Sequence, residues 1–272
     1  MAKAENTSGE TKPSLLKSHA GHALTYLSLH FEPQIDFTKK LSNLAEAVLK
    51  HSKAPHWAST AGRYIIRETN KRFFYLFDHQ VFYCQTLGLD PWLVNLEDHL
   101  EVMAIASRKM EVTRIKRFGF QVSIQLPLGM AHAEICDLMF GSYVVERQEL
   151  LSTFGKVDDV LLQLFGYYKE IRSQTIIAPQ TAEQSSKHFL STANLDLFVE
   201  EKYTDTCIKE QLERVSHDCL SLTIEMTKED VPANSLPSLV HDCYEGVENI
   251  AEGVVLRIRL LKPKEQLRDG ND

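Results

Sequence analysis

Apolar residues recur along this chain with two different periods, and the switches between them mark out its elements. The clearest stretch runs from Arg63 to Leu128. RYIIRETNKRFFYLFDHQVFYCQTL is rich in aromatic and β-branched residues, which suit a pleated, half-buried surface. Polar breaks at Thr69-Asn70 and Asp78-His79 allow reversals, the second tight enough for a hairpin joining Phe73–Phe77 to Val81–Gln85. Asp90 then caps a helix with Pro91 at its first position, and Leu93, Leu96, Leu100 and Met103 form its apolar stripe. Next, Phe118, Phe120, Val122, Ile124 and Leu126 alternate with Gly119, Gln121, Ser123 and Gln125, a period of two that specifies a strand. Upstream of Gly119 the alternation is out of phase, so a bulge is expected there.

The flanking regions read more variably. HALTYLSLHF is a strand stopped by Pro33, and Asp36 caps a helix lined by Phe37, Leu41, Leu44, Val48 and Leu49. Ala54 to Trp57 is a connecting loop. Met130–Phe140 is a short helix, the first half of Ser142–Phe154 a strand, and Val157–Ile171 a helix through Val160, Leu161, Leu164 and Tyr168. Gln174–Ala178 and Ser191–Val199 are strands around a loop from Pro179 to Lys187. Ile208, Leu212, Val215, Cys219, Leu222 and Met226 recur at spacings of three and four, which predicts one long helix. A turn at Val231–Ser235 leads to a second helix from Leu236; Val254–Leu261 either continues it or forms a final strand.

These elements predict an α+β fold, antiparallel sheet covered by helices, ending in a helical hairpin. A strand, turn and helix at Ala23–Leu49 echo those at Thr192–Val215, which suggests two related halves. The expected organisation is a disordered tail over 1–20, an α+β half over 21–172, a second over 173–262 and a charged tail over 263–272.

Charge changes the picture in one place. The net charge is −7 over 272 residues, but Asn194 to Glu252 carries fourteen acidic against four basic residues. The central block is basic through Arg63, Arg67, Lys71, Arg72, Arg114, Lys116 and Arg117. Five scattered cysteines, no secretion signal and no bilayer-length apolar run indicate a soluble cytoplasmic protein with no membrane partner.

Most chemistries with a local signature are absent. Neither phosphate-binding glycine pattern follows a strand, and no two-histidine zinc-protease helix or glycine-flanked serine occurs. His132-Ala133-Glu134 matches the first half of the zinc deaminase signature, but no Pro-Cys-x-x-Cys follows and Cys136 lies too near to replace it. His-Asp-Cys occurs twice, at His217–Cys219 and His241–Cys243, and a helical hairpin would level the two. On a helix, however, residues two apart diverge by about 200°, so His217 and Cys219, like His241 and Cys243, read as core and surface positions rather than metal ligands. No cofactor is expected.

The order of elements resembles a sporadically distributed bacterial family of cytoplasmic proteins of similar length whose function is uncharacterised. Arg63–Gln85 is similar to that family's hairpin and Arg117-Phe118-Gly119-Phe120 to its Arg-x-Gly-like strand. Asn194-Leu195-Asp196 is similar to its acidic strand, with Asn in place of the first Asp, and His217 to its helical His. The resemblance implies an α+β fold, supplies no activity, and places the chain among genes distributed like those of mobile elements and phage defence.

Three functional expectations follow. The first is a non-catalytic interaction subunit (adaptor, regulator or antitoxin-like) whose acidic helical face, Glu210, Glu213 and Glu225, meets a basic protein. The second is nucleic-acid binding through Arg63, Arg67, Arg114, Lys116 and Arg117 on the central sheet. The third is an enzyme whose site assembles distant residues such as His99, His132 or His217 with an acid.

Overall fold

A computed structural model describes residues 22–52, 56–60, 63–68, 73–87, 90–143, 149, 152, 158–192, 212–213 and 215–261. Nine strands form one antiparallel sheet: β1 (His22–His30), β2 (His56–Thr60), β3 (Arg63–Glu68), β4 (Phe73–Asp78), β5 (Val81–Leu87), β6 (Arg114–Pro127), β7 (Leu162–Tyr168), β8 (Ile171–Gln180) and β9 (Cys219–Pro232). Their order is β2-β3-β4-β5-β1-β6-β9-β8-β7. The helices are α1 (Phe37–Ser52), α2 (Asp90–Lys109), α3 (His132–Tyr143), α4 (Ala182–Thr192) and α5 (Leu236–Leu261). The α+β class is as the patterning predicts, and so are β1, α1, the β3–β4–β5 meander, α2, β6 and α3. Trp57 lies in β2 rather than in a connecting loop.

The sheet is held together at its middle. β1 is inserted between β5 and β6, so that Leu27 faces Cys84 on one side and Phe120 on the other. β6 and β9, distant in sequence, pair from Arg114↔Pro232 to Pro127↔Cys219. Leu29, Phe118, Phe120, Val122, Ile124, Leu220, Leu222, Ile224 and Met226 point to one face and are buried, each worth roughly 1.5–3 kcal/mol of transfer free energy. On that face α1 and α2 pack together over β3 and β5, α5 crosses β6 and β9, and α3 leans on α5 and β8. Gly246 lets α5 approach: a Cβ there would lie 2.8 Å from Met226 Cε and 2.8 Å from the Tyr168 ring.

The C-terminal half differs from its periodicity. Cys219–Pro232 is a strand, not the end of a long helix. Leu220, Leu222, Ile224 and Met226 also alternate with period two, and both edges of β9 are satisfied by β6 and β8, which a helix here would leave unpaired. No helical hairpin therefore carries the acidic face. Val157–Ile171 is likewise no helix: β7 and β8 form a hairpin turning at Lys169 (φ 45°) and Glu170 (φ 63°). Two consecutive left-handed residues make the tight turn that matches strand twist.

Residues 182–192, expected as a loop up to Lys187 and the start of a strand from Ser191, form α4, opened by a reciprocal cap. Thr181 Oγ1 accepts from the Gln184 N–H at 3.2 Å and Gln184 Oε1 from the Thr181 N–H at 2.8 Å. Val254–Leu261 continues α5. The proposed boundary at 172/173 falls inside β8, in a sheet shared by both expected halves. No bulge occurs at Gly119, whose register with Ser28 and Thr227 is unbroken. Its lack of a side chain is explained by Ser28 Oγ, 2.7 Å from where a Cβ would stand. The phase change lies upstream, at Lys116-Arg117 of β6, opposite the point where Asp230 of β9, held by Arg114, is left-handed (φ 59°). Ser142 and Tyr143, expected to open a strand, instead end α3; the terminal tails, residues 144–148 of that expected strand and the predicted strand beyond Thr192 lie outside the described residues.

Candidate interaction edge and the junction beside it

β7 has the sequence LQLFGYY and pairs with β8 from Leu162↔Ile177 to Tyr168↔Ile171. Among the described residues its other edge has no ladder partner. Side chains on it and just before it are not withdrawn: Leu161, which precedes the strand, is 67% exposed, and within it Leu164 is 48%, Phe165 62% and Tyr167 79% exposed. Natural sheet edges are usually blunted by charge, proline or brevity. β2, the other edge strand, is five residues long, whereas β7 offers seven residues without a charge or a proline.

Acids stand at both ends of this strand. Asp158 and Asp159 precede it. At the far end, Lys169 reaches Asp242 at 3.0 Å and Glu245 at 2.6 Å on α5. These contacts raise the lysine above its ordinary range and hold the Glu245 carboxyl below its own. Tyr168 packs on Gly246, and its hydroxyl accepts from Asn249 Nδ2 at 3.4 Å. The hairpin is thereby anchored to α5 at its turn while its outer edge faces solvent.

The approach to β7 is tied to α3. The Val160 N–H donates to Asp159 Oδ1 at 2.8 Å, and Cys136 Sγ donates to the Asp158 carbonyl at 3.7 Å. Both His132 ring nitrogens lie 3.7 Å from Cys136 Sγ. One ligand-type atom from each of His132, Cys136 and Asp159 falls within 4.8 Å of the others. Burial pushes the Cys136 thiol up, and Asp159, Asp137 and Asp158 add to this. Asp218 steadies the same corner: one oxygen accepts from the His132 N–H at 2.8 Å and the other from the Ala182 N–H at 2.9 Å, so a single carboxylate caps α3 and α4.

The residues singled out in the sequence are distributed otherwise. Of the acidic set, Glu225 lies on β9, 3.3 Å from Arg117; Glu213 is exposed; Glu210 is outside the described residues. Of the basic set, Arg63 pairs with Asp78 at 3.1 Å, Arg114 with Asp230, Lys116 with Glu32 and Arg117 with Glu225. Arg67 lies opposite Phe74 in the register. With Arg63, Arg114, Lys116 and Arg117 each matched by a carboxylate, these residues have little charge to offer a phosphate backbone. Tyr64 and Tyr75 are buried.

The two His-Asp-Cys triplets do not meet. Cys219 points away from the main core towards α4, its Sγ 3.0 Å from Ser185 Oγ, while Cys243 is buried in that core beneath α5. His217 and His241 are exposed. Of the three histidines considered for catalysis, His99 is buried under β4 with Nδ1 2.7 Å from the Tyr75 hydroxyl. His132 and His217 share the Asp218 corner.

From the sequence, Asp159 stands out only as one of two adjacent acids that read as a cap or solvated face, and Cys136 is set aside as too near His132. The available signal was the four-residue spacing of His132 and Cys136, which puts both on one helix face; Asp159 had none. The chain matches no protein-family profile and no curated protein sequence.

Proposed function

We propose that this chain is a non-catalytic interaction subunit that accepts a partner protein's strand along the outer edge of β7. The observation that carries the reading is the uncharged edge strand with Leu161, Leu164, Phe165 and Tyr167 exposed. Strand addition uses the free backbone groups for affinity and the flanking side chains for selectivity. Aromatic residues supply large contact area at small entropic cost. Because Asp158, Asp159, Glu170, Asp242 and Glu245 frame the strand, the complementary partner segment is apolar with Lys or Arg at its ends. The acidic attraction expected from the sequence is kept, but it is moved from a helical face to the two ends of a strand. No helix among the described residues is long and apolar enough to cross a membrane. The resemblance in element order fits an adaptor, regulator or antitoxin-like role in a mobile-element or phage-defence setting.

The test is native mass spectrometry of the tagged chain purified gently from its own host, beside a variant carrying Leu164→Lys, Phe165→Lys and Tyr167→Lys. The expected result is a stoichiometric protein partner on the parent chain and at least a tenfold loss on the variant, with thermal unfolding of the two within a few degrees. A partner retained equally by both would sink the proposal.

A further inference from the structure

We propose that His132, Cys136 and Asp159 form a binding site for one zinc-class divalent metal ion at the corner where α3 meets the approach to β7. The inference does not rest on the interaction reading.

The first argument is spacing. With zinc–sulfur at about 2.3 Å and zinc–nitrogen at about 2.05 Å, tetrahedral geometry separates the two ligand atoms by about 3.6 Å. Cys136 Sγ and the His132 ring nitrogens are 3.7 Å apart. The Asp159 carboxylate belongs to the same group of atoms within 4.8 Å, and as the exposed member it can close the remaining distance by side-chain rotation. The second argument is donor type. Sulfur, nitrogen and a single carboxylate suit zinc or a neighbouring transition metal, whereas magnesium and calcium take oxygen.

The third argument is the setting. Cys136 is buried and His132 half-buried, while Asp159 is exposed, so the ion would enter from the Asp159 side and keep a fourth position for water. Asp137 and Asp158 add carboxylates beside the three ligands, a negative setting that favours a dication. The His132 backbone is already fixed by Asp218, so little ordering is needed on binding. A bound ion would staple α3 to residues 158–160, which lead directly into β7.

The test uses the full chain, freed of metal by a chelator and then titrated with Zn²⁺ against a chromophoric competitor, and separately with Co²⁺. One equivalent should bind. Cobalt should give tetrahedral visible bands and a thiolate-to-metal charge-transfer band in the near ultraviolet, and zinc should slow alkylation of Cys136 at least tenfold. Cys136→Ala and Asp159→Asn should each weaken zinc at least tenfold, the exposed Asp159 variant being the one that leaves the fold undisturbed. Absence of stoichiometric binding, a cobalt spectrum without the thiolate band, or unchanged affinity in Asp159→Asn would each overturn the assignment.

Discussion

Phe120 in β6 and Phe165 in β7 are the same side chain in the same kind of backbone, each in mid-strand of one sheet. Phe120 is fully buried, with Leu27 of β1 and Met226 of β9 at its sides in the register. Among the described residues Phe165 is paired on one side only, to Gln174, and stands 62% exposed. Position in the strand order, rather than residue type, decides which aromatic stabilises the fold and which is left to meet something else. The central strands spend their apolar surface on the core; the edge strand keeps it available.

The largest test of that contrast is the matched pair Phe120→Ala and Phe165→Ala. The first should cost about 3–5 kcal/mol and the second stay within about 0.5 kcal/mol, both read from urea unfolding. Equal effects would mean that β7 is covered in solution. The next contrast concerns how closely α5 sits on the sheet. Gly246→Ala forces a methyl against Met226 and Tyr168, an overpacking of about 1–3 kcal/mol, partly offset by about 1 kcal/mol of helix propensity. Gly253→Ala, with nothing within 4 Å, should show only the gain, about 1 kcal/mol. The smallest effect is local to the edge hairpin. Glu170→Gly removes a left-handed non-glycine residue from the turn and should raise stability by about 1 kcal/mol, visible as a thermal shift of a few degrees.

Much of the fold was legible because its first half is locally consistent. From β1 to β6, alternation, caps and turn residues mostly agree, and among the described residues the structure departs from them at β2, where His56 and Trp57 read as a loop, and at Gly119, where a bulge was expected. The C-terminal misreadings each have a physical cause. Within residues 219–226, Cys219, Leu222 and Met226 fit a helical period while Leu220, Leu222, Ile224 and Met226 fit a period of two, and pairing with β6 and β8 selects the strand. The Lys169-Glu170 turn lacks the glycine or asparagine that normally announces two left-handed residues, so β7 looked like a helix running on to Ile171, while Gln174–Ala178 of β8 was legible as a strand. The start of α4 was announced, by Thr181 and Gln184, in a stretch whose polarity suggested a loop.

The candidate sites were less legible than the fold. Nothing in LQLFGYY says that it will be last in the sheet, and nothing near Asp159 says that it will stand beside His132 and Cys136, more than twenty residues earlier. By itself the sequence determined the fold class, the central meander with α1 and α2, and the absence of local catalytic signatures, because those depend on residues within a few positions of one another. The strand order, the edge status of β7, the pairing of Arg63, Arg114, Lys116 and Arg117 with their acids and the His132–Cys136–Asp159 cluster were decided only by the tertiary structure. They depend on which distant strands hydrogen-bond and which helices cap at one corner, a global choice that no local period encodes.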